Sequence, residues 1–106
     1  MTPMLEKKIE KIVCDYAKRL GILVYKFSSP GHAAVPDRLF INERGHVMFI
    51  EFKRTGMKPT IPQLREHDKL RKSNVNVQVV DNVESGKCLI DDFVVFGEMV
   101  NEQPNT

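Results

Sequence analysis

Apolar residues recur at three- and four-residue spacing through the first twenty positions. Leu5, Ile9, Ile12, Val13, Tyr16 and Leu20 fall along one stripe of a helix that starts near Thr2, and Gly21 supplies its stop. Thr2 suits the cap, Pro3 the first helical position and Glu6 the first turn. The pattern then changes. Residues 22–27 are apolar and β-branched and end in Ser28-Ser29-Pro30-Gly31, which predicts a strand running into a loop. Residues 37–41 and 46–53 are two more strands. The turn Asn42-Glu43-Arg44-Gly45 between them has a glycine free to take positive φ and predicts an antiparallel hairpin. A loop at 55–60 leads into a polar helix at 61–73, where Ile61, Leu64 and Leu70 make an imperfect packing stripe. Residues 75–80 read as a strand. The segment 84–100 closes the domain as a helix, with the β-branched run Phe93-Val94-Val95-Phe96 making a strand the alternative. The order αβββαβ(α) implies an α/β fold, a mixed β-sheet flanked by helices.

Composition fits one such unit. The 106 residues (12.2 kDa, 42% hydrophobic, 28% charged) suffice for a single core. The expected domain spans 1–100, with the polar stretch 101–106 a disordered tail. No apolar run approaches the ~18 residues of a membrane span, and the charged first segment does not read as a signal peptide, so a soluble cytoplasmic protein is expected. Cys14 and Cys88 have no metal-ligand spacing and are read as reduced core thiols. His32, His46 and His67 share no ligand spacing either and are read as loop, turn and helix-surface residues, with His32 a weaker candidate for phosphate contact.

The sharpest local feature is Pro36-Asp37, followed after thirteen residues by Glu51-Phe52-Lys53. Strand side chains alternate, so Val47, Phe49, Glu51 and Lys53 share one face and Met48, Ile50 and Phe52 the other. The hairpin sets Asp37 opposite the end that carries Glu51 and Lys53, bringing two carboxylates and one ammonium toward a common point. An isolated Glu-x-Lys on a strand is ordinarily a solvated ion pair worth little. Two carboxylates at close quarters, however, repel unless a cation sits between them. Mg²⁺ meets that need, since one or two carboxylates plus a substrate phosphate suit it.

Asp37 with Glu51-x-Lys53 resembles the active-site signature of the PD-(D/E)xK nuclease superfamily. More narrowly, YKFSSPGHAAVPDRLFI, GHVMFIEFKRTGMKP and PQLREHDKLRKSNVNVQVVDN are similar to the stand-alone VRR-Nuc domain nucleases of phages and bacteria, over about residues 5–82. The resemblance implies a restriction-endonuclease-like core and a metal-dependent endonuclease. Asp37 and Glu51 would bind Mg²⁺ or Mn²⁺, Lys53 would be catalytic, and Gln63 on the following helix would belong to the site. A first-helix glutamate completes that set, either Glu6 or Glu10. The helical wheel brings Glu6 nearer the apolar stripe and favours it. One departure is Ala34, where family members usually carry a glycine two residues before the Pro-Asp pair.

Charge distribution changes the picture that the net +2 gives. Residues 53–72 carry a net +5 and residues 81–106 a net −5, so basic charge gathers beside the acidic site, where a phosphate backbone must lie. Lys26, Arg38, Arg54, Lys58, Arg65 and Lys69 are the expected DNA contacts. By resemblance, the substrate is branched DNA such as a four-way (Holliday) junction, cut by a homodimer in the cytoplasm of a bacterium or of a phage's host. The dimer is expected to join through the second helix and last strand or through the C-terminal segment. The alternatives are a nuclease for flaps, nicks or ordinary duplex, and a non-catalytic nucleic-acid-binding module.

Overall fold

A computed structural model describes residues 4–102. Helix α1 (Glu6–Arg19) is followed by β1 (Leu23–Lys26), β2 (Arg38–Ile41), β3 (Val47–Phe52), α2 (Ile61–Lys72), β4 (Asn76–Val80) and α3 (Val83–Glu102). The strands lie in the order β1-β2-β3-β4. The first three are antiparallel neighbours, and β4 runs parallel to β3 after the α2 crossover. The architecture is the expected mixed sheet with helices on both faces.

Alternation in β3 divides the sheet. Met48, Ile50 and Phe52 are fully buried against Ile9, Val13 and Ala17 of α1 and against Ile90 and Phe93 of α3, with Phe40 and Val80 filling the same layer. A β-strand under α3 would have left that layer open, so the 84–100 segment resolves as a helix. It runs through Glu102, two residues into the stretch expected to be a tail; residues 103–106 lie outside the described ones. Asn42 ties the β2–β3 turn to α3: its Oδ1 accepts from the amides of Arg44 (3.0 Å) and His46 (3.1 Å), and its Nδ2 donates to the Phe93 carbonyl (3.3 Å). Gly45 supplies the positive φ in that turn.

Four expectations change. Helix α1 begins at Glu6 with Leu5 as an uncapped N-cap, and the Thr2–Pro3 start lies outside the described residues. The stripe also shifts, because Leu5 and Leu20 are exposed while Cys14 and Ala17 are buried. Cys88 is exposed, not a core thiol; Cys14 is buried, and burial pushes its thiol up to about 11. On α2, Ile61 and Leu64 are exposed and the fully buried side chain is His67, read above as a surface residue.

The α1–α3 packing depends on Gly86. A Cβ there would meet Val13 Cγ2 at 2.6 Å and Val80 Cγ1 at 3.1 Å. Gly86→Val therefore lowers the unfolding free energy by about 1–3 kcal/mol, the usual cost of overpacking, as a reduced urea midpoint checks.

Candidate active site

The site forms where β3 ends. Continuing the β2–β3 register past Arg38↔Ile50 places Asp37 across from Glu51. Asp37 is held at both ends: its carbonyl accepts from Phe27 N (2.9 Å), and its Oδ2 accepts from Phe52 N (2.8 Å), the amide next to Glu51. Pro36, fully buried, seats this corner. Ala34 causes no backbone strain, because Asn74 is the one non-glycine with positive φ among the described residues.

Glu51 is 2% exposed, on the sheet face that α2 covers. Lys53, one residue past the strand, brings its Nζ to 3.9 Å from Glu51 Oε2. Gln63 Nε2 donates to the same oxygen at 3.1 Å. Helix capping explains why Gln63 points that way. Thr60 Oγ1 accepts from Gln63 N (3.3 Å) and Gln63 Oε1 accepts from Thr60 N (2.9 Å), a capping box. With the amide oxygen taken by the backbone donor, the amide nitrogen is left to face Glu51. Thr60-x-x-Gln63 is readable as a capping box in sequence, and it was the signal that would have fixed this side chain.

The two first-helix glutamates separate cleanly. Glu10 Oε2 accepts from Arg38 Nε, which ties both into the groove between α1 and the β1–β2 pair. Glu6 instead feels Asp37 and Lys53, and its pKa is raised, first by burial and then by the Asp37 charge, against the opposing pull of Lys53. Two reciprocal bonds, Met4 N to Thr55 Oγ1 (3.1 Å) and Thr55 N to the Met4 carbonyl (3.2 Å), hold the start of α1 against the chain leaving β3. Sequence spacing gave no hint of that clasp, since it joins positions 51 residues apart.

Glu51 carries the strongest perturbation. Burial, the charge of Asp37 and a hydrogen bond to Asp37 that only the protonated form can donate push its pKa up to about 8, with Lys53 pulling the other way. Two carboxyl groups, Asp37 and Glu51, stand side by side with Lys53 as the nearby cation, and Glu6 lies within electrostatic reach of Asp37. Among the described residues, no group of three or more His, Cys, Asp or Glu side chains is placed to hold a metal ion. Mg²⁺ asks for less, one or two carboxylates with water and phosphate oxygens completing its shell.

The expected DNA contacts scatter differently. Arg54, Lys58 and Arg65 are exposed and join no ion pair among the described residues. Lys69 lies 3.9 Å from Glu66, and Arg38 is engaged by Glu10. Lys26 lines a polar groove of about 430 Å³ with Lys7, Lys11 and Lys18, between α1 and the β1–β2 pair. A larger apolar cleft of about 680 Å³, between the β3 start and Phe93 and Phe96 of α3, lies at the opposite end of the sheet and is lined by none of the catalytic or DNA-contact candidates.

No family model matches the chain. It is 40% identical over 84 residues to "Putative nuclease p44" of Acyrthosiphon pisum secondary endosymbiont phage 1, covering 79% of this chain and 90% of that protein. A solved structure titled "VRR_NUC domain" superposes with a TM-score of 0.78 at 37% identity, covering 83% of this chain and 96% of the other. The fold and these similarities together define a nuclease with a restriction-endonuclease-like core. Within that class, the chain belongs to the VRR-Nuc family. No helix among the described residues is long and apolar enough to cross a membrane.

The Glu51 shift fixes a pH dependence of stability. Below about pH 4.5, the ordinary value, folded and unfolded chains both hold the proton and Glu51 contributes nothing. Between there and about 8 the folded state keeps a proton that the unfolded state has lost, so stability falls as pH rises. Metal-free wild type therefore loses stability across this window. Glu51→Gln flattens the slope and is more stable than wild type at pH 8 by roughly 1–3 kcal/mol, measured by denaturant unfolding at several pH values.

Proposed function

We propose that the chain is a Mg²⁺- or Mn²⁺-dependent endodeoxyribonuclease that hydrolyses phosphodiester bonds in branched DNA, four-way junctions included, and acts as a homodimer. The observation that carries the metal-dependent reading is Glu51, a buried carboxylate pressed against a second one with Glu6 beyond it. Burying two carboxyl groups side by side costs stability, and without a cation between them neither favours a phosphate.

Asp37, Glu51 and Glu6 are the residues that would hold the metal, with Glu10 withdrawn to Arg38. A divalent ion held there would polarise a water for attack and offset charge that builds on the phosphodiester. Lys53 holds its ammonium beside Glu51, where it orients the nucleophile and stabilises the same negative charge. Gln63 fixes the plane of Glu51, and the Phe52 amide fixes Asp37. Arg54, Lys58, Arg65 and Lys69 present cations to the phosphate backbone on the α2 side, and Lys26 does so along α1; Arg38, engaged by Glu10, steadies that edge.

Support for a dimer comes from the second face of the sheet. Cross-strand partners share a face, so Leu23 and Ile41, Tyr25 and Leu39, and Val47 and Phe49 line one surface, of which α2 packs only on the β4 side. Leu23, Tyr25 and Val47 are 53%, 51% and 40% exposed, an apolar patch suited to self-association. A two-fold interface there would set two sites in the symmetric relation that paired cuts in a junction need.

Asp37→Asn and Lys53→Ala are each expected to cut a labelled four-way junction at least ~100-fold more slowly while still binding it in a gel shift. Cleavage that persists in both variants overturns the assignment. Compared side by side in Mn²⁺, junction is cut faster than flap or linear duplex; equal rates remove the branched-DNA reading alone. Tyr25→Glu shifts the sedimentation of the protein from dimer to monomer, and an unchanged mass places the contact elsewhere.

A further inference from the structure

His67 is the fully buried side chain of α2, and both its ring nitrogens lack a hydrogen-bond partner. Glu51 Oε1 is buried there too and accepts from no donor. The two groups face each other: His67 Nε2 lies 3.7 Å from Glu51 Oε1. Buried polar atoms are rarely left unpaired, and this separation is only a few tenths of an ångström beyond hydrogen-bond range.

Helix geometry makes the pairing more than a coincidence of distance. Gln63 and His67 are four residues apart, so they project from one face of α2 one above the other. Gln63 already holds Oε2 of the same carboxylate at 3.1 Å. We infer that His67 is a positioning residue for Glu51, presenting its Nε2–H to Oε1, so that two successive turns of α2 grip the two oxygens of one carboxylate. Each oxygen keeps a further lone pair for a cation.

One other observation agrees. Packing alone would favour a different residue. Helix α2 leaves Ile61 and Leu64 65% and 49% exposed, and a histidine occupies its deepest position, where leucine would fill the space without polar atoms to satisfy.

The inference rests on Glu51 as a metal ligand, so its test separates the two claims. His67→Leu and His67→Gln are made in the full chain, and Mn²⁺ affinity is read by calorimetry beside thermal unfolding and junction cleavage. His67→Leu is expected to stay folded, to bind Mn²⁺ about 10-fold more weakly, and to lose kcat more than KM, while the amide donor of His67→Gln restores affinity to within about 3-fold of wild type. A folded leucine variant with wild-type Mn²⁺ affinity overturns the positioning role and leaves Glu51 as ligand intact. If the wild type takes up no Mn²⁺, the metal reading falls, and the nitrogen-15 shifts of the His67 ring in metal-free wild type still decide the contact: an Nε2–H tautomer supports it and an Nδ1–H tautomer overturns it. The same measurement decides the case in which the leucine variant fails to fold.

Discussion

A carboxylate removed from water must be compensated where it lies, and Glu51 is the group around which the rest of this molecule is arranged. At 2% exposure it sits between a strand and a helix, with Asp37 across the hairpin. Its neighbours answer that constraint from three directions: Lys53 along its own strand, Gln63 from α2, and the Phe52 amide, which restrains Asp37. The incomplete balance leaves Glu51 inclined to keep its proton, which is the state from which a divalent cation would displace it.

Helix α2 is unusual in how it is held. Its outward face is polar and basic and its inward face has little to bury, so apolar packing does not account for its position. Polar anchors do more. The Thr60–Gln63 capping box fixes one end, and near the other Arg71 donates from Nε and Nη2 to the Val77 carbonyl, at 3.3 and 2.8 Å. A helix placed by directional bonds rather than by a greasy stripe can deliver donors to a carboxylate in a set orientation.

The sheet divides labour between its faces. One is sealed by α1 and α3 with Met48, Ile50 and Phe52 at its centre, and this is the stable body of the fold. The other carries Glu51, the basic helix and an apolar surface on β1 and β2 that leaves Leu23 and Tyr25 half-exposed among the described residues. Because alternate residues of β3 serve the two faces, the chemistry stands directly on the core without interrupting it.

Local patterning determined much by itself. The change from a three-to-four-residue period to alternation, with Gly21 and Asn42–Gly45 as punctuation, gave the element order and the hairpin, and the hairpin placed Asp37 against Glu51 and Lys53. These are short-range consequences of backbone geometry, so they survive without knowledge of the fold. Other features could not be seen that way. The helical wheel favours Glu6 over Glu10 but leaves open how far α1 docks toward Asp37, which the Met4–Thr55 clasp and the Glu10–Arg38 pair bear on. His67 looked like a surface residue because α2 has no clear apolar stripe to betray its buried side, and Cys88 looked buried because its neighbours are apolar. Burial is a property of what packs opposite a residue, and only the assembled sheet and helices supply that partner.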